Sequence, residues 1–212
     1  MANILLGITG SVAAIKTREL LQALLDDGHL VKVVATNPAL YFLDRNSLPA
    51  GTLFTDADEW PQGNAVWNRN DPVLHIELRR WAEILLIAPL DANTLAKLAV
   101  GLCDNCLTCV YRAWNPQRPI LLAPAMNTFM WEHPLTSQHL RRVARQFGLR
   151  AGKRISADDL VVKINRQQSQ RLRFVGPISK QLACGDIGQG AMAEIPAIVH
   201  VVAELVGQVE VP

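Results

Sequence analysis

Short apolar runs alternate along the chain with segments whose apolar residues recur at helical spacing. Ile4-Leu5-Leu6-Gly7-Ile8 reads as a buried strand, and residues 30–35, 84–88 and 120–123 repeat that pattern. After Gly10-Ser11 the spacing predicts a helix with Val12, Ile15, Leu20, Leu21, Leu24 and Leu25 on about one face and Gly28 as its stop. Further helices are expected over 93–102, over 136–147 with a stop at Gly148, and over 195–206. Strand, helix, strand, helix in this order predicts an α/β fold, an open and mostly parallel sheet with helices on both faces. Such sheets bind ligands at the carboxyl ends of their strands. Chemistry is therefore expected in the loops after Ile8, Ala35, Ala88 and Ala123.

Composition narrows this picture. The 212 residues are 50% hydrophobic and 19% charged, enough apolar material for the core of a single domain spanning 1–212. Lys and Arg number 21 against 19 Asp and Glu, a balance of +2 that predicts neither a nucleic-acid nor a membrane-surface partner. No apolar run approaches the roughly 20 residues of a spanning helix, and Met1 to Leu6 lacks the basic start of a secretory signal. Four cysteines, Cys103, Cys106, Cys109 and Cys184, do not make a disulfide scaffold, so a cytoplasmic location is expected. One stretch stands out: 152–174 carries Lys153, Arg154, Lys163, Arg166, Arg171 and Arg173 beside Gln167, Gln168 and Gln170. It reads as a basic insertion and a mobile surface excursion, with a docking surface for an acidic partner as the alternative.

Several loops carry candidate chemistry. Gly7 to Val12 joins a strand to a helix, and its glycines with the Ser11 hydroxyl suit either a phosphate cradle or a plain tight turn with a Ser cap. The six-residue glycine fingerprint of dinucleotide sites is absent, as is a Walker A loop. Asp91, Asn93 and Thr94 offer hydrogen bonds at a helix start, where ordinary capping is the competing reading; Thr36-Asn37 follows its strand in the same way. Asn127 stands between Met126 and Met130 and suits a carboxylate or carbonyl, or a simple turn with methionine filler. His75 falls in the first turns of a helix if that helix starts near Pro72. Cys184 lies in a glycine-rich run suited to closing over a ligand, where a thiol can give a proton. His75-x-Glu77 with Cys103-x-x-Cys106 imitates a zinc deaminase signature but lacks its proline before the first cysteine. No metal is expected, and the three clustered cysteines read as small apolar residues on a packed face.

Taken together, the runs GITGSVAAIK (7–16), DPVLHIELRRW (71–81), APLDANTLAK (88–97), GLCDN (101–105), PAMNTFMW (124–131), ACGD (183–186) and GAMAE (190–194) carry a resemblance. The chain resembles the phosphopantothenoylcysteine decarboxylases, within the wider group of homo-oligomeric flavin-containing cysteine decarboxylases. The resemblance spans about 3–206 and is interrupted by the basic stretch. It implies a flavodoxin-like Rossmann three-layer sandwich, FMN as cofactor, and a homotrimer with active sites at the subunit interfaces. By motif, Gly10, Ser11 and Val12 run along the flavin phosphate side, and Thr36, Asn37 and Phe42 lie near the flavin. Asp91, Ala92, Asn93 and Thr94 cradle it, and Ala125 lines it. Asn127 would hold the substrate carboxylate beside Met130, His75 would be the base, and Cys184 the acid on a closing flap. Many relatives have Ser where this chain has Asp91. A carboxylate would repel a phosphate, so Asp91 is expected either to bind ribityl hydroxyls or to cap its helix.

The implied reaction is the decarboxylation of 4′-phosphopantothenoylcysteine to 4′-phosphopantetheine in coenzyme A biosynthesis. Two other readings share the fold: a regulatory subunit that inhibits a protein phosphatase, and a decarboxylase of peptidyl cysteine.

Overall fold

In a computed structural model of the chain, the described residues are 1–61, 66–150, 152, 155–167, 169–181 and 187–209. Six strands, β1 (Asn3–Ile8), β2 (Leu30–Ala35), β3 (Leu53–Thr55), β4 (Ile84–Leu90), β5 (Ile120–Pro124) and β6 (Leu172–Phe174), form one sheet in the order β3-β2-β1-β4-β5-β6. Every neighbouring pair is parallel. This is the Rossmann order of a doubly wound sheet, and the direction of winding reverses between β1 and β4.

The near-continuous apolar strands are explained by burial on both faces. Leu5, Val34, Leu85, Ile87, Ile120, Leu122, Leu172 and Phe174 point into one layer, with side chains of α3 (Leu74–Trp81), α4 (Ala92–Val100), α5 (Cys106–Arg112), α7 (Pro134–Gln146) and α8 (Ala157–Asn165). Their strand neighbours Ile4, Leu6, Ile8, Val33, Ala35, Ile84, Leu86, Leu121 and Ala123 point into the other, against α1 (Thr17–Asp26) and α9 (Ile195–Val209). The alternation is the period of two that a pleated strand imposes. A separate antiparallel ribbon, β7 (Ile178–Gln181) with β8 (Ile187–Ala191), lies between β6 and α9 in the chain.

Three expectations are corrected. The segment after Gly10 does not run directly into an α-helix: Val12–Lys16 is a 3-10 helix capped by the Ser11 side chain, and α1 begins only at Thr17. The tighter winding turns Val12 and Ile15 out of the core, where they are 41% and 65% exposed, while Leu20, Leu21 and Leu24 are buried as expected. The clustered cysteines do not share one packed face. Cys103 is exposed in the link between α4 and α5, Cys106 opens α5 and is buried, and Cys109 is half-buried.

The third correction concerns 152–174. Its polar composition hides a helix period in which Ala157, Leu160, Val161 and Ile164 are buried, and it ends in β6, the edge strand of the main sheet. The described part of the segment is therefore a helix-strand unit of the core, with Lys163 and Arg166 on its exposed side. Ile164 is fully buried, so Ile164→Ala is expected to cost about 2–5 kcal/mol in urea unfolding. A surface excursion would lose no more than about 0.5 kcal/mol.

Candidate active site

The switch between β1 and β4 opens a crevice because the chain leaves these two strands in opposite directions across the sheet. Two loops converge there and are tied together by one side chain. The buried Thr9 hydroxyl donates to the Pro89 carbonyl at 2.8 Å and accepts from the Asp91 N–H at 2.7 Å. Gly10 permits this approach: a side chain there would meet the Pro38 Cβ at 2.6 Å and the Asp91 Oδ2 at 3.3 Å. Gly10 therefore serves close packing of three loops.

A cavity of about 630 Å³ occupies this crevice, within the size range of small-molecule and cofactor sites. Gly10, Ser11, Val12, Phe42, Asp91, Ala92, Asn93, Ala125, Asn127 and Met130 all line it. Thr36, Asn37 and Thr94 do not line it. Thr36 is buried, with its N–H on the Ile8 carbonyl at 3.0 Å, and Asn37 is exposed at the start of the 3-10 helix Asn37–Tyr41. Thr94 is buried one turn into α4, donating its N–H to Asp91 Oδ1 at 2.7 Å. Through that bond the Asp91 carboxylate caps α4, one of the two roles expected of it.

Asn127 caps α6 (Thr128–Glu132) through a 2.9 Å bond from the Phe129 N–H to its Oδ1. The cap fixes the side chain at the carboxyl end of β5. The buried Trp131 of the same helix donates its indole N–H to Asp158 Oδ1 at 3.0 Å. Gln189 of β8 donates to the same oxygen at 3.1 Å. Asp158 belongs to α8, so the stretch read as an insertion supports both the Asn127 helix and the β7–β8 ribbon. The ribbon is seated on the site by the Met126 N–H, which donates to the Gly190 carbonyl at 2.9 Å. Gly190 has φ +140°, and a Cβ there would collide with the Met126 carbonyl oxygen, so this position takes glycine alone. Cys184 lies outside the described residues.

The motifs do not single out two cations of the cavity. Lys16 and Lys180 both line it, and both pair with Glu194, at 3.4 and 3.2 Å. The Lys180 hydrogen bond, with the charge of Lys16, holds the Glu194 carboxyl below its usual range. Neither a lysine at the end of a helical run, as Lys16, nor one in a short strand, as Lys180, carries a sequence signal that separates it from a solvated charge.

His75 is the second residue of α3, close to the expected start of that helix, but it does not line the cavity of its own chain. Its ring Nδ1 lies 2.7 Å from Glu59 Oε1, and its backbone N–H donates to Glu59 Oε2 at 2.7 Å. Glu59 ends α2 (Asp56–Glu59), and its acidic sequence looks like any solvated turn. Among the described residues, no group of three or more His, Cys, Asp or Glu side chains is placed to hold a metal ion, and no helix is long and apolar enough to cross a membrane.

The lining suits a flavin. Apolar side chains (Val12, Ala92, Ala125, Met126, Met192) offer flat contact area for an aromatic ring system, while Ser11, Asn93, Lys16 and Lys180 supply donors for a polar, anionic tail. Comparison with known proteins gives the same direction. A family model described as "Flavoprotein" matches residues 1–207. Phosphopantothenoylcysteine decarboxylase of Mus musculus is 47% identical over 208 residues, covering 97% of this chain and 88% of its own. A solved structure of a phosphopantothenoylcysteine decarboxylase mutant complexed with pantothenoylaminoethenethiol superposes with a TM-score of 0.80 at 44% identity, covering 97% of this chain and 98% of that one. The FMN-binding protein AtHal3 superposes with a TM-score of 0.76 at 44% identity, covering 100% and 99%.

Proposed function

The chain belongs to the flavoprotein family, and on that premise we propose that it is an FMN-dependent carboxy-lyase converting 4′-phosphopantothenoylcysteine to 4′-phosphopantetheine in coenzyme A biosynthesis. The observation that carries this reading is the cavity at the switch point, which gathers the flavin-type lining of β1 and β4 and the Asn127 amide of β5 in one space. The chemistry explains why both are needed. Direct loss of carbon dioxide from the cysteine carboxylate leaves a carbanion with no adjacent electron sink. A thioaldehyde at the neighbouring carbon supplies that sink, and decarboxylation then gives an enethiolate. Bound FMN supplies the two-electron acceptor that makes the thioaldehyde and returns those electrons afterwards, so no nicotinamide is consumed.

The protein's own groups orient and protonate. Asn127 holds the carboxylate by hydrogen bonds without a full charge that would resist its loss. Lys16 and Lys180 add positive potential for anionic ends. His75 takes the proton, a task suited to imidazole near neutral pH. Cys184 returns one to carbon, and the segment that bears it keeps water from the thioaldehyde.

Because His75 is absent from its own cavity, each site is completed by His75 of a second copy, in a homotrimer. Val12, Ile15 and Met130 line the cavity yet remain 41%, 65% and 50% exposed, and Phe129 beside Met130 is 76% exposed. An apolar rim of this kind favours a covered interface. The reaction is cytoplasmic in this reading. A substrate panel tests it: turnover of 4′-phosphopantothenoylcysteine is expected to exceed that of a cysteine-terminated peptide by at least about 100-fold, below the roughly 10⁴–10⁵ that a site built for polar recognition can reach. Preference for the peptide would point to peptidyl cysteine instead.

A further inference from the structure

The reaction as described gives no task to α2, the acidic turn beside His75. We propose that Glu59 is the positioning residue for His75, fixing its tautomer so that Nε2 is the ring atom that accepts the proton; this rests on reading His75 as the base.

The Glu59 side chain is only 5% exposed, which is rare for a carboxylate that has no partner to hold. Its two oxygens are divided between two groups of one residue. Oε1 faces the ring Nδ1 at 2.7 Å, and Oε2 accepts the backbone N–H of the same histidine at 2.7 Å. An ionised carboxylate can only accept, so the ring proton sits on Nδ1. Neutral imidazole has one such proton, which leaves the lone pair on Nε2, on the opposite edge of the ring. When Nε2 takes a proton, both ring nitrogens are donors, and Glu59 keeps the same bond while gaining an ion pair. The cation therefore forms without rearrangement, as in the carboxylate–histidine pairs of hydrolases.

The turn carrying Glu59 is itself held in place. Asp58 Oδ2 accepts from the Thr55 N–H at 2.7 Å and from the Thr55 hydroxyl at 2.8 Å. Asp56 Oδ1 accepts from the Cys106 N–H at 2.8 Å, pinning α2 to the start of α5. The Cys106 thiol lies 3.8 Å from Glu59 Oε2. Burial, with Glu59 next in importance, pushes that thiol well above its ordinary pKa, so it adds a weak donor to the carboxylate and no second negative charge. Glu59 is thus fixed from α3 and α5 at once, which a cap of α3 alone would not require.

The experiment uses the flavin-loaded protein. Imidazole ¹⁵N–¹H correlation spectra of the wild type, with the His75 signals identified by their loss in His75→Asn, are expected to show the Nδ1–H form. A wild-type ring protonated on Nε2 overturns the proposal, and this reading needs neither turnover nor a Glu59 variant. Glu59→Gln is expected to retain flavin, to move the His75 signals toward the Nε2–H form, and to lower kcat by about 10²–10³-fold with KM within about threefold, the scale of general acid–base catalysis. Wild-type kcat in Glu59→Gln, or a change in KM alone, overturns it. A wild type that shows the Nδ1–H form but turns over no substrate leaves the Glu59 assignment standing and removes the proposed reaction.

Discussion

His75→Asn retains its flavin and its oligomeric state but releases carbon dioxide at least about 10²–10⁴ times more slowly than the wild type, the range that loss of a general base produces. Asparagine preserves a hydrogen-bonding side chain at the second position of α3 while removing the atom that accepts a proton. The flavin is expected to stay because His75 does not line the cavity of its own chain. The same geometry gives the variant a second signature. In the proposed homotrimer, Asn127→Ala is expected to disable the cavity that carries it, and His75→Asn a neighbour's. Subunits of the two variants, dissociated and mixed, therefore regain a fraction of wild-type turnover in sites built from one good cavity and one good histidine. Equal activity of His75→Asn and wild type would clear the histidine of a catalytic role; absence of recovery on mixing would put cavity and histidine in one subunit.

Cys184→Ser changes the product rather than the rate of carbon dioxide release. A serine hydroxyl is a far weaker acid than a thiol, so the last proton is not delivered. Decarboxylation within about tenfold of wild type is expected, with the unsaturated aminoethenethiol as the main product in place of the saturated aminothiol, read by mass spectrometry. The related decarboxylase mutant complexed with pantothenoylaminoethenethiol supports this expectation. A normal yield of the saturated product from Cys184→Ser would remove the thiol from the mechanism.

Much of this site is written locally. The ends of β1, β4 and β5 each carry a short motif, and topology alone brings Ser11, Asn93 and Asn127 into one cavity. What sequence could not give depends on contacts between distant segments. Thr36 follows a strand and Thr94 opens a helix, and both are buried, with their backbone N–H groups bonded to the distant Ile8 carbonyl and to the Asp91 cap. Val12 and Ile15 look like core because a helix period was assumed where a 3-10 turn forms. Residues 157–164 look solvated because the charged outer face outweighs four buried positions in the composition. Glu59 is invisible in sequence, since it acts on His75 sixteen residues away through a contact made only after α2, α3 and α5 have packed.

The account turns on electrons borrowed from the substrate and returned to it. Flavin-loaded protein is mixed anaerobically with 4′-phosphopantothenoylcysteine, without nicotinamide, and carbon dioxide and 4′-phosphopantetheine are counted against total flavin. The account predicts many turnovers, equal yields of the two products, and a final flavin spectrum that is oxidised, as at the start. Carbon dioxide limited to one equivalent per flavin with the flavin left reduced, or no product at all from protein saturated with FMN, would contradict it.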